Sequence, residues 1–466
     1  MDCQAWKDVQ LPLTTTSNLA AKLFDSAVTQ LITMQEDETM GGLEGTFHEM
    51  LKVDPSFIMG NALSLGLQCL SHGGDLRMDE KFVQKIKYLE KISVNGNKRE
   101  KLHVKAVCQY SMGYCDKAVT TWQDILVDYP NDVLALKLAH QESIFLGDSY
   151  GILGSVERVL PIWELPSKFY GQVQGMYAFG LEEMHFYNKA EHYGKLALSV
   201  NRTDPWATHT LAHVYEMTGQ TDKGIQMMSS TESDWSGRMM TRHNYWHWAL
   251  YHVEKGDYEQ ALNVYDEHIN KYVRNLTDTY ALTDAASLLQ RLEFEGVDVG
   301  SRWDVVADAC RPHMDDHQLM FIDIHLLMAF LNSSRYKSDA DASKKFMESI
   351  ENFLLHGDPE TNYWKACKTV GYQVMKGFVA YKEQRFQDAV NILFSVRNNM
   401  NLVGGSNATR DVLEQLLIMS CIQSLSVKHQ NLARALLRER KCRNPDSLLT
   451  DRLHARYMLV HEVYDL

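Results

Sequence analysis

Between residues 99 and 270 one helical pattern returns five times in phase, in frames that begin at Arg99, Val133, Gly171, Pro205 and Arg242, spaced by 34, 38, 34 and 37 residues. In the first frame, "REKLHVKAVCQYSMGYCDKAVTTWQDILVDYP" predicts two amphipathic helices joined at Met112 to Asp116 and closed by Pro130. Ala106 and Ala118 are small where two helices of a hairpin must approach, and Trp122 fills the space beside them. The fifth frame keeps the pattern best, with Ala249, Gly256, Tyr258, Ala261 and Tyr265 in register. A chance match would not hold its phase over this length.

This spacing is that of a tetratricopeptide repeat, so the fold class expected is all-α, an α-solenoid of antiparallel helix hairpins. The frame loosens elsewhere. Gly377, Phe386, Ala389 and Leu393 fit a further hairpin, and "LLIMSCIQSLSVKHQNLARALLRER" fits another. Residues 275–360 hold helical patterns with longer polar connections. Upstream, "NLAAKLFDSAVTQLITM" is amphipathic, and Asp54-Pro55 reads as the N-cap and first turn of the next helix. With nine prolines in 466 residues and no linker-like stretch, residues 1–466 are expected to form a single solenoid, with its clearest repeats at 99–270 and looser ones at 20–98 and 275–466.

A formal charge of −13 argues against a general nucleic-acid or anionic-membrane binder. The eight cysteines form no C-x-x-C pair, which fits reduced thiols better than a disulfide scaffold or zinc ribbon. No apolar run reaches the ~18 to 20 residues of a membrane span, and the first residues do not resemble a secretion signal. A soluble, cytoplasmic protein is expected. No nucleophile elbow, P-loop or dinucleotide fingerprint occurs, so the reading leans away from an enzyme.

Two pairs of histidines stand out. His209 and His213 lie four apart in "PWATHTLAHVYEM", as do His243 and His247 in "TRHNYWHWALYHVEK", and residues four apart are neighbours on a helix face. In the repeat frame they fall at positions that line the concave groove, with Glu216 one turn beyond His213. Imidazoles on two adjacent helices suit a transition metal such as zinc. The glutamate of H-E-x-x-H is absent, so a zincin-type protease is not implied. The competing reading is stacking and hydrogen bonding beside Trp206, Tyr245, Trp246 and Trp248.

A second candidate is "LVGGSNATRDVLEQLLI". Ser406 or Asn407 is placed to cap a helix, and Arg410 in its first turn, with the backbone N–H groups, is placed to hold an anion. The alternative makes Arg410 and Asp411 a structural pair. A third histidine pair, His313 and His317 in "RPHMDDHQ", reads as a solvated helix start.

Taken together, "DPSFIMGNAL", "HTLAHVYEM", "HNYWHWALYHVEKGDYEQAL" and "GGSNATRDVLEQLLI" resemble the tetratricopeptide repeat protein 38 family over nearly the whole chain. The resemblance implies architecture and carries no catalytic residues. Among tetratricopeptide repeats that bind chaperone tails, the groove carries a carboxylate clamp of Lys, Arg and Asn. Histidine here, mostly neutral near pH 7, disfavours EEVD-type tails, and Lys137 with Gln141 makes no clamp alone. Two functions are therefore expected: a non-enzymatic scaffold binding an unidentified protein or peptide in its groove, or a metal- or small-ligand-dependent protein built on the histidines.

Overall fold

The computed structural model describes residues 1–71, 79–275, 278–335 and 341–461, and every regular element among them is helical. All five expected hairpins are present. They pair Lys98–Ser111 with Cys115–Asp128, Val133–Phe145 with Ser149–Glu157, Tyr170–Glu183 with Tyr187–Val200, Pro205–Met217 with Thr221–Ser230, and Thr241–Lys255 with Tyr258–Val264. The last helix runs on through a π turn, Tyr265–Ile269, to Val273. The fold is that of tetratricopeptide-type helix hairpins.

The residues that set the frame have the packing roles their size suggests. Ala106, Ala118, Ala190, Ala249 and Ala261 are wholly buried, and Trp122 is covered beside the first pair. Close approach needs small residues, because a larger side chain would force the helices apart. The hairpin turns need a left-handed residue where the first helix ends. Gly113 and Gly256 supply it at φ 82 and φ 79, and in the third hairpin His185 takes it at φ 64. Tyr251 ties the fifth hairpin to the fourth by donating to the Ala212 carbonyl at 2.7 Å.

The chain divides into two compact units, Met1–Thr210 with Ser233–Thr241 and Glu360–Asn362, and Leu211–Glu232 with Arg242–Pro359 and Tyr363–Leu466. The first unit opens with a short helix, Cys3–Asp8, followed by Asn18–Thr33, Gly42–Val53, Ile58–Ser71 and Glu80–Ser93. Here Asp54 does not cap the following helix as expected. It ends the preceding one, and its Oδ1 accepts the N–H and hydroxyl of Ser56 in a tight turn, so that the helix starts only at Ile58. Inside this unit Asp132 is buried between Arg99 and His103, at 2.8 and 2.9 Å.

The second unit adds Thr279–Phe294, Arg302–Cys310, Met320–Asn332 and Asp341–His356, then the hairpins Tyr372–Lys382 with Phe386–Val396 and Asn407–Gln423 with Val427–Arg443, and a last helix Leu448–His461. The expected small positions recur. A Cβ on Gly377 would stand 2.5 Å from Leu393, and Ala389 is fully buried. No helix among the described residues is long and apolar enough to cross a membrane.

Candidate metal centre

The helix Pro205–Met217 begins with Asp204, whose Oδ1 accepts the N–H groups of Trp206 and Ala207, while Pro205 occupies a first-turn position that needs no donor. One turn apart on it stand His209 and His213. His243 and His247 stand one turn apart on Thr241–Lys255.

In the second unit, His213, His243 and His247 converge. Ring centroids of His213 and His247 are 4.4 Å apart and those of His243 and His247 are 4.9 Å apart. One nitrogen of each lies within 4.8 Å of the others. His213 and His247 are fully buried, and His243 keeps a little exposure. His209 is carried by the same helix as His213 but is the last residue but one of the first unit's main segment. There it is buried, stacked on Phe179 at 5.3 Å and against Trp206 at 5.0 Å.

Two of the three converging rings are fixed by carboxylates. His247 Nδ1 lies 2.9 Å from Glu216 Oε2, and His243 Nδ1 lies 3.0 Å from Asp284 Oδ1. A carboxylate acceptor holds the proton on Nδ1 and leaves the lone pair on Nε2, the tautomer a metal requires. Glu216 thus orients the His247 ring. Burial raises the Asp284 carboxyl, but Arg242 and His243 beside it outweigh burial and bring its pKa below the usual aspartate value. Trp246, wholly buried, stacks on His243 at 5.1 Å and 10°.

The chemistry follows from that polarity. Imidazole lone pairs gathered in a dry site repel one another unless a cation stands among them. For bonds of 2.0 to 2.1 Å in a tetrahedral set, neighbouring nitrogens are about 3.4 Å apart, which lies inside the 4.8 Å limit. Asp284 and Glu216 add two negative charges behind the rings. Burial also removes His209, His213 and His247 from the role of peptide contacts in an open groove, since a buried ring offers a passing chain no surface.

At the second candidate the capping expectation holds, and Arg410 engages its own loop. Ser406 caps Asn407–Gln423 by accepting the Thr409 N–H at 3.2 Å. Arg410 turns back on its own loop and donates to the Gly405 carbonyl and to Asn407 Oδ1, so its guanidinium serves the turn. Asp411 pairs with Arg440. Nor is the third histidine pair solvated. His313 and His317 are both buried, and His317 packs against Phe353 and Tyr363.

Asp284 is the residue beside the converging histidines that the sequence reading missed. The available signal was an acid within "YALTDAASLLQRL", a stretch otherwise suited to burial. An aspartate there must have a partner, and two lie on the histidine helix.

No family model matches the chain. Among solved structures it is similar to yeast Tom70, at 12% identity over 86% of this chain and 88% of that one, with a TM-score of 0.33. A monomeric IFIT1 mutant with m7Gppp-AAAA gives 11% identity over 96% and 92% of the two chains, with a TM-score of 0.37. Likeness at this level carries nothing about function.

Proposed function

We propose that the protein is metal-dependent and binds one transition-metal ion, zinc being the simplest choice, through His213, His243 and His247. The observation that carries this reading is the carboxylate behind each of two converging imidazoles, Glu216 for His247 and Asp284 for His243. Packing alone needs no such orientation, whereas metal-bound histidines almost always have it. Three protein ligands leave a coordination position open, which suits Lewis-acid or hydrolytic chemistry. The likeness to the tetratricopeptide repeat protein 38 family is part of the same reading, since the histidine stretches are among its most distinctive segments. A cytoplasmic location fits the thiol usage.

The scaffold reading rests on the helix hairpins, which elsewhere build extended concave surfaces for protein partners. It gains nothing from the histidines, and Lys137 cannot serve a carboxylate clamp, being buried against the Trp206 ring at 4.4 Å.

The test is elemental analysis of protein prepared without a histidine tag, followed by zinc titration of the chelator-stripped protein. One tightly held metal per chain is expected. No metal in the isolated protein, together with no saturable zinc uptake, would exclude the centre.

A further inference from the structure

The three helices that carry the converging site end against one stretch of the second unit. His213 and Glu216 belong to Pro205–Met217, His243 and His247 to Thr241–Lys255, and Asp284 to Thr279–Phe294. The last carbonyls of an α-helix have no partner inside it, and here side chains from residues 444–456 meet them. Asn444 donates to the Glu216 carbonyl at 3.2 Å. Arg452 donates to the Val253 and Glu254 carbonyls at 2.7 and 2.9 Å, and Arg456 donates to the Phe294 carbonyl.

Arg452 also pairs through Nε with Glu295 at 2.5 Å, a buried carboxylate just beyond Thr279–Phe294, so one guanidinium holds the ends of the second and third helices together. Glu216 links the first helix to the second: its carboxylate orients His247 while its carbonyl takes Asn444. Capping a helix needs only a local polar group or water, whereas these contacts come from far along the chain and fix three helices against one another. Val253 lies on the same helix as His247, about 9 Å along its axis. A shift of the last turn therefore moves the imidazole, and a site about 1 Å too loose fails to hold its ligand.

We propose that residues 444–456 form a clasp that sets the spacing of the metal-bearing helices, with Asn444 and Arg452 as positioning residues for the centre. The inference rests on the metal reading and deepens it, since it makes the affinity of the histidines depend on the end of the described chain.

Titration of the metal-free full chain with cobalt(II), whose visible spectrum reports ligand geometry, tests this, with zinc competition giving the affinity. Wild type should take up one ion per chain. Arg452→Ala and Asn444→Ala should each bind it about 3- to 30-fold more weakly, and Arg452→Ala should also shift the visible bands. Lys441→Ala, which removes the ion pair to Asp451, is the control and should leave affinity and spectrum unchanged. Urea midpoints separate positioning from stability. A lower midpoint in Arg452→Ala with wild-type affinity and bands would mean that these contacts only cap helices, and would overturn the clasp. Asn444→Ala removes a single hydrogen bond at a half-buried position, and keeps the test informative should Arg452→Ala fail to fold. Wild-type affinity in Asn444→Ala would overturn the clasp while leaving the metal centre standing, whereas no uptake by wild type would remove both.

Discussion

Two stretches of the second unit each present two histidines four residues apart, and they end differently. His243 and His247 lie inside a regular helix, so their rings share a face and meet His213 from the neighbouring helix. His313 sits in a 3-10 turn, and His317 follows it with a left-handed backbone, φ 45. These two part company. His313 Nδ1 faces Asp316 at 2.6 Å, and His317 is held between Asp323 and Ser349, at 2.9 Å each. Spacing gathers imidazoles only where the helix is unbroken. In one region carboxylates orient rings towards each other; in the other they engage each ring separately.

The largest expected difference is in metal uptake. His213→Gln with His247→Gln should abolish it while helicity, followed by circular dichroism, stays near wild type. His313→Gln with His317→Gln should leave uptake unchanged. Zinc titrations on the two double variants, run side by side, decide the matter, and equal uptake in both would erase the distinction.

In stability the order should reverse. Asp323 is buried and meets both His317 Nδ1 and the hydroxyl of Tyr363, the latter at 2.5 Å. Asp323→Ala would strand an imidazole and a phenol away from water, and removing one partner of a buried pair costs about 3 to 5 kcal/mol. Urea unfolding would show it as a lower midpoint at unchanged slope. A loss below about 1 kcal/mol would mean that water reaches the pair.

The contrast also marks what was legible in the sequence. Hairpins could be read because their packing repeats, so Ala118 and Ala261 are recognisable by phase alone. The meeting of His213 with His243 and His247 was legible for the same reason, the frame placing two helix faces side by side. Asp284 belongs to a helix outside the regular frame, and no local rule says which turn of it will face His243. His317 was misread because a left-handed residue after a 3-10 turn has no periodic signature, and its burial depends on Phe353 and Tyr363, far along the chain. For Arg410 the sequence offered an anion or Asp411 as partner, and a side chain that folds back on its own loop at Gly405 and Asn407 has no signature in helix spacing.

A smaller effect should come from the carboxylates behind the rings. Asp284→Asn keeps shape and can still accept a hydrogen bond, but it removes the charge facing His243 and Arg242. Losing such an outer partner typically lowers metal affinity about 10- to 100-fold. Competition against a zinc chelator of known affinity would measure this. An unchanged constant would show that His243 does not ligate.

The smallest effect is the response to pH, and it should have opposite sign in the two regions. Burial lowers the pKa of His317, but its hydrogen bond to Asp323 and the nearby charges of Asp323, Asp315 and Asp316 outweigh this and raise it above 6.5. The imidazolium is therefore favoured by folding, and the stability it contributes is fully present below the unfolded-state value and lost as pH rises through the raised folded value. Tyr363 and Ser349, the other polar groups against the ring, stay neutral across that range. Metal binding at the other histidines runs the other way, because a proton competes for each Nε2 and acid releases the metal. Asp284 does not add to this trend between pH 5 and 8, since a carboxyl held below 3.8 in the fold loses its contribution only in stronger acid. In metal-free protein unfolded in urea from pH 5 to 8, the stability advantage of wild type over His317→Gln should shrink towards pH 8; buried histidines such as His140 and His325, whose pKa values burial lowers, contribute the opposite slope to both proteins alike. Zinc should add stability progressively towards pH 8 in wild type and add none in the His213→Gln, His247→Gln variant. Parallel slopes with and without zinc would mean that the two histidine regions do not differ in kind.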